Sequence, residues 1–192
     1  MFVFRHKPSG RRIGLNYKVL FSFAEEHPDL EQVGGESCDY LLWRDPLART
    51  VSLFFDKCRN SIDPKSVQEV QAVLLAQFSL SRVGDLRSVT FSQVVNALPR
   101  IVQREDHLFP QLQGVDLSKI GRVVDIASGL RRIEAETGLK FARRANTSRH
   151  GRVVKYYTDE TRRIVETVYA ADYVARPDVG LYGRCKRLMG FL

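Results

Sequence analysis

Cysteine is scarce in this chain: three residues in 192, Cys38, Cys58 and Cys185, with no CxxC spacing among them. An odd number of widely spaced thiols offers neither a disulfide framework nor a paired-cysteine zinc site, so reduced thiols and a cytoplasmic setting are expected. Long apolar runs are lacking too. No window approaches the ~20 apolar residues that a membrane-spanning helix requires. The start MFVFRH has no long apolar segment behind it, so a soluble, unexported chain without a transmembrane segment is expected. Internal repeats, low-complexity tracts and long linkers are absent, which points to a single domain over residues 1–192. No spacing of histidines, cysteines and acids suggests a metal site. The signature GxxxxGK followed by Ser or Thr is missing as well, which argues against an ordinary nucleotide-triphosphate P-loop.

What the chain does have is core-forming material and positive charge. A hydrophobic fraction of 44% suffices for a packed interior, and the formal charge of +8 calls for an anionic partner. Charge alone leaves that partner open among a phosphorylated cofactor, an acidic glycan, nucleic acid and a membrane surface. Aromatics are not interleaved with the arginines in any nucleic-acid signature, so no nucleic acid is expected.

Strand and helix patterns alternate along the chain. Phe2 to Phe4 read as a short strand, followed by the polar loop RHKPSGRR and a helical pattern from Ile13 that runs out at His27 and Pro28. Tyr40 to Trp43 read as a buried strand, with Asp45 and Pro46 as the N-cap and first position of the next helix. On that helix Leu47, Val51, Phe54 or Phe55, and Cys58 form an apolar stripe, while Arg49, Ser52 and Asp56 share another face. Asp63 and Pro64 are expected to open a helix through Phe78. Thr90 and Gln93 form a capping box for a short helix ending near Leu98, before Pro99. GRVVDI offers a further strand, Ala127 to Thr137 a helix closed by Gly138, and Thr158 the start of a last helix buried through Ile164, Val165, Val168 and Ala171. Such alternation predicts an α/β fold with a mainly parallel central sheet flanked by helices, whose ligands collect at the carboxyl ends of the strands.

Two loops then draw the chemistry. In HKPSGRR, Ser9 and Gly10 sit between a strand and an expected helix N-terminus, where backbone N–H groups can face an anion beside Lys7, Arg11 and Arg12. At the corner LLWRDPLARTVSLFFDKC, Arg44 and Ser52 could converge on one phosphate through charge-assisted bonds; a surface ion pair and a solvated hydroxyl explain the same two residues.

The segment WRDPLARTVSLFFDKC resembles the 3′-phosphate-binding segment of sulfotransferases that use 3′-phosphoadenosine 5′-phosphosulfate (PAPS), of the carbohydrate type, whose pattern reads RxPxxRxxSxxxxK. Arg44, Pro46, Arg49, Ser52 and Lys57 stand where that pattern places them. VTFSQVVNAL, EDHLFPQ and the ending NTSRHGRVVKYYTDETRRIVETVYAADY are similar to later segments of that family, in the same order, so the resemblance covers most of the chain. One segment departs: the family's 5′-phosphosulfate loop sets Lys directly after Pro, whereas here Lys7 precedes Pro8 and arginines close the loop.

The resemblance implies a P-loop-like three-layer fold and transfer of a sulfuryl group from PAPS to a hydroxyl of an acceptor, a glycan or glycolipid. Cofactor contacts would fall to Lys7, Ser9, Gly10, Arg11, Arg12, Arg44, Arg49 and Ser52, with Lys7 also catalytic and no metal. An imidazole near its ordinary pKa suits the proton-accepting step. Of His6, His27, His107 and His150, the resemblance selects His107, in the EDHLFPQ loop, with His6 second. A non-catalytic nucleotide- or polyanion-binding module on the same fold is the alternative, because fold does not fix function.

Overall fold

A computed structural model describes residues 2–15, 27–60, 68–104, 108–139 and 153–173. In chain order the strands and helices are β1 (Phe2–His6), β2 (Arg12–Leu15), β3 (Leu30–Val33), β4 (Cys38–Trp43), α1 (Pro46–Phe55), α2 (Glu69–Phe78), α3 (Phe91–Ile101), β5 (Ile120–Asp125), α4 (Ile126–Thr137), α5 (Asp159–Val168) and α6 (Ala170–Tyr173). They fall into two compact units. One takes the described residues of Met1–Asp45, Gln111–Ala145 and Ala171–Leu192, the other those of Pro46–Pro110 and Asn146–Ala170.

The first unit is built on a five-stranded sheet in the order β3-β1-β2-β4-β5. The fold is α/β as the alternation predicts, but the sheet is mixed rather than mainly parallel. β2, β4 and β5 pair in parallel, whereas β1 runs antiparallel to both β2 and β3. The difference arises at the first loop. His6 N donates to Arg11 O at 2.8 Å and Gly10 N to His6 O at 2.8 Å, and Gly10 takes φ 71°, a left-handed geometry that glycine adopts without strain. The chain therefore reverses into a hairpin, and Arg12–Leu15 is a strand where a helix was expected. The rest of that expected helix, residues 16–26, lies outside the described residues. β3 carries no long apolar run to betray it. It is held by its register with β1, in which Arg5 stands opposite Glu31 and pairs with it.

Apolar side chains cover both faces of this sheet. On one, Phe4, Ile13, Tyr40, Leu42 and Val124 pack with Ile133 and Leu139 and with the partly buried Ile126 and Leu130 of α4; on the other, Val3, Leu41, Trp43 and Val123 pack with Leu112. β4 lies inside the sheet between β2 and β5, which accounts for the nearly continuous apolar run YLLW. β5 approaches β4 closely at Gly121, where a Cβ would stand 2.7 Å from Asp39 O. As expected, Gly138 closes α4: it takes φ 78° and donates its N–H to Glu134 O at 2.8 Å.

The second unit is helical among its described residues. α1 begins at Pro46, and the helix runs on through a π-helical turn, Asp56–Asn60. The start expected at Asp63 lies outside the described residues, and α2 is described from Glu69, with Gln68 and Gln71 forming its capping box. The Thr90–Gln93 box opens α3 as predicted, with Thr90 N donating to Gln93 Oε1 at 2.7 Å and Gln93 N to Thr90 Oγ1 at 3.2 Å. α3 does not stop before Pro99, however, but runs to Ile101. Leu98 and Ile101 are fully buried there, and that burial outweighs the hydrogen bond a helical proline removes. Thr158 caps α5 through Thr161 N at 3.2 Å; of its expected stripe Val165 is fully buried, and Ile164, Val168 and Ala171 are half-buried. α5 packs on α1 and α3. Beside them Phe54, Phe55, Phe91, Tyr156 and Tyr157 form edge-to-face and tilted ring contacts with centroids 5.0 to 6.0 Å apart.

Cys38 and Cys58 are buried free thiols, and burial pushes each up to about 11. Only the thiolate reacts readily. At pH 8 both are expected to resist a thiol reagent in the folded protein and to label fully once it is unfolded. Mass-spectrometric mapping checks this, and rapid labelling of either in the native state would contradict their burial.

Candidate functional site

Because β2, β4 and β5 run in parallel, their carboxyl ends share one end of the sheet. There β4's apolar run stops at Arg44, which is half-buried, and Asp45 follows, buried. Amides that leave a sheet within a packed region must find new acceptors. Arg44 N donates to Gln111 Oε1 at 3.0 Å and Asp45 N to Asp125 Oδ2 at 3.3 Å. Asp125 stands opposite Trp43 in the β4–β5 register, which puts its carboxylate at the corner. Next to Gln111, Leu112 N donates to Asp172 Oδ1 at 2.7 Å, and Gln111 and Asp172 are both buried. The corner is thus built from four stretches of chain.

The first loop stands elsewhere. It leaves the carboxyl end of β1, which is antiparallel to β2, and so lies at the end where β2 and β4 begin. Six residues of β4, at roughly 3.3 Å each, separate that end from Arg44. The structure therefore brings Lys7, Ser9, Gly10, Arg11 and Arg12 together but not with Arg44. No helix N-terminus follows the loop to add its dipole, because β2 does.

The loop's cations serve local contacts. Lys7 Nζ donates to Pro28 O at 2.9 Å, and Arg11 pairs with Asp39 at 3.1 Å, which raises the Arg11 pKa above its ordinary value. Arg12 N donates to the other Asp39 oxygen at 2.7 Å, and its guanidinium reaches Ser37 Oγ at 3.0 Å and Gly34 O at 2.7 Å. His6, the second candidate base, is buried with Nδ1 2.7 Å from Ser9 Oγ.

In the helical unit Arg49 and Ser52 both lie buried on α1, one turn apart. The Arg49 guanidinium stacks over the Tyr169 ring at 4.4 Å to the centroid, a cation–π contact that fixes its plane. Lys57, the last residue of the segment, sits in the π-helical turn, 2.6 Å from Asp56 Oδ2 and 2.5 Å from Gln68 Oε1. Tyr157 OH donates to Leu47 O at 2.9 Å. Arg59 stacks on Phe54 at 4.5 Å and donates to the carbonyls of Leu86, Arg87 and Val89, closing the short helical turn Val83–Ser88. His107 and His150 lie outside the described residues.

Arg132 belongs to an ion network on the sheet unit. It donates to Glu136 Oε1 at 2.7 Å, and Glu136 also accepts from Tyr40 OH. The tyrosine hydrogen bond, followed by that of Arg132, lowers the Glu136 pKa, and the same Glu136 contact raises that of Tyr40. Among the described residues no group of three or more His, Cys, Asp and Glu is placed to hold a metal ion, and no helix is long and apolar enough to cross a membrane. Sequence reasoning gave no role to Gln111, Asp125 or Asp172. Each was in view, in EDHLFPQ, GRVVDI and YAADY, but nothing in one dimension says that they converge on Arg44 and Asp45.

Compared with protein-family models, curated proteins and solved structures, the chain matches none.

Proposed function

We propose that the protein is a PAPS-dependent sulfotransferase acting on a hydroxyl of a carbohydrate acceptor, a glycan or glycolipid. The observation that carries this reading is the Arg44 corner: an arginine at the carboxyl end of a parallel strand, its main chain anchored by Gln111 and Asp125, directly before a helix opened by Pro46. Ligands of open α/β sheets collect at that end. A P-loop-like three-layer arrangement is part of the same proposal.

Arg44, at the carboxyl end of the parallel strands, would hold the 3′-phosphate of PAPS by charge-assisted bonds; the resemblance assigns Arg49 and Ser52 to the same phosphate. The loop HKPSGRR does not fit the phosphosulfate half, since it lies at the far end of β4 with its cations in local contacts. Lys7 is therefore not assigned to the phosphosulfate. Bound PAPS supplies the activated sulfuryl group; the chain's own part is to hold the donor, neutralise charge at the leaving oxygen and accept the acceptor's proton at His107. The buried free thiols Cys38 and Cys58 suit a reducing cytoplasm.

Arg44→Ala is expected to weaken binding of 3′-phosphoadenosine 5′-phosphate (PAP) about 30-fold, equivalent to about 2 kcal/mol for a lost charge-assisted pair, and to leave AMP binding unchanged. Equal loss for both nucleotides would remove Arg44 from the 3′-phosphate. The second reading, a non-catalytic polyanion- or nucleotide-binding module, draws on the position of HKPSGRR. It requires binding that follows total ligand charge and falls steeply with salt.

A further inference from the structure

The geometry points to Gln111 as a positioning residue for the anion-contacting arginine, with Asp172 holding Gln111 in place; the inference rests on the reading of Arg44 as the 3′-phosphate contact. β4 ends at Trp43, and beyond it Arg44 N has left the sheet. Its acceptor is the side-chain oxygen of Gln111, 67 residues further along the chain. The next residue, Leu112, is fixed in turn by the Asp172 carboxylate, 60 residues beyond it, through a buried bond of 2.7 Å. The main-chain position from which the Arg44 side chain departs therefore depends on two side chains distant in sequence. An N–H in a partly buried corner is costly to leave without an acceptor, so removing the Gln111 oxygen is expected to shift the corner rather than leave it in place. A binding arginine displaced by a fraction of an ångström loses the paired geometry its guanidinium needs.

The choice of an amide follows from the same chemistry. Asp125 and Asp172 already place two acids around the corner. Glutamine accepts the Arg44 N–H without adding a third negative charge where a phosphate is to bind. A glutamate there would keep the shape and the acceptor oxygen but repel the ligand.

Titration of PAP and AMP into wild-type protein, Gln111→Met, Arg44→Ala and the double variant tests this. Gln111→Met is expected to weaken PAP about tenfold, as for one lost hydrogen bond, with AMP unchanged. The double variant should bind PAP no more weakly than Arg44→Ala alone, because Gln111 acts through Arg44. A Gln111→Met protein with the wild-type PAP-to-AMP ratio, or additive losses in the double variant, overturns the inference and leaves the sulfotransferase reading standing. Wild-type protein with no preference for PAP overturns both. Should Gln111→Met fail to fold, Gln111→Leu serves instead, since it too removes the acceptor oxygen without adding charge. Selective weakening of PAP supports the inference, and an unchanged ratio overturns it.

Discussion

Lys7→Ala is expected to leave sulfuryl transfer within about threefold, where removing a preorganised group that faces developing charge would cost about a hundred- to a thousandfold. The reasoning starts from strand direction. β1 and β2 form a hairpin, so the loop between them emerges where β4 begins. β2 and β4 run in parallel, so the chain leaving β2 starts from the same end of the sheet as Arg44. A donor whose 3′-phosphate meets Arg44 must present its phosphosulfate within one nucleotide's length of it. Lys7, held to Pro28 O at the other end of the sheet, is on the wrong side of β4. The assay follows PAP release from PAPS over a panel of hydroxylated glycans. A Lys7→Ala protein that loses transfer about a hundredfold or more would return the loop HKPSGRR to the site and contradict the strand-direction argument.

Turnover should collapse in His107→Ala with PAP affinity retained. If His107 takes the acceptor proton, its removal costs about a hundred- to ten-thousandfold in rate, as is typical of a general base. Nucleotide binding, proposed for other residues, should be unchanged. The wild-type rate should climb with pH as the imidazole loses its proton, because only the neutral ring accepts one. A His107→Ala protein with near-normal transfer would exclude His107 as the base. Loss of both PAP binding and cooperative unfolding would mean that the residue is structural. His6 is a poor substitute, since it is buried against Ser9 at the first-loop end of the sheet.

Much of the fold was legible where local chemistry decides. Asp45–Pro46, the Thr90–Gln93 box, Thr158 and Gly138 mark helix ends by side-chain and backbone rules that act within four residues, and the structure places those ends accordingly. The buried run YLLW announced a strand covered on both faces. Errors came where distant contacts overrule local pattern. Pro99 reads as a helix stop until the burial of Leu98 and Ile101 is known. Arg12–Leu15 reads as helix until its pairing with β1 and β4 is known. That one hairpin changed the candidate site. From the sequence, a glycine loop after a strand suggested an anion cradle, and only the direction of β2 shows that it faces away from Arg44. The acceptors of the Arg44 corner were illegible for a related reason: Gln111 and Asp125 lie 67 and 80 residues from the amides they hold.

Calorimetric titration of the wild-type protein with PAP and with ADP tests the central claim most directly. The two nucleotides are isomers with two phosphoryl groups each: PAP carries one phosphate on the 3′ position and one on the 5′, and ADP a diphosphate on the 5′. A site in which Arg44 receives a 3′-phosphate must tell them apart, and PAP is expected to bind at least about tenfold more tightly at physiological salt, a difference of roughly 1.4 kcal/mol. Equal affinities, falling together as salt is raised, would mean that the basic chain responds to charge alone and that the Arg44 corner is not a 3′-phosphate site.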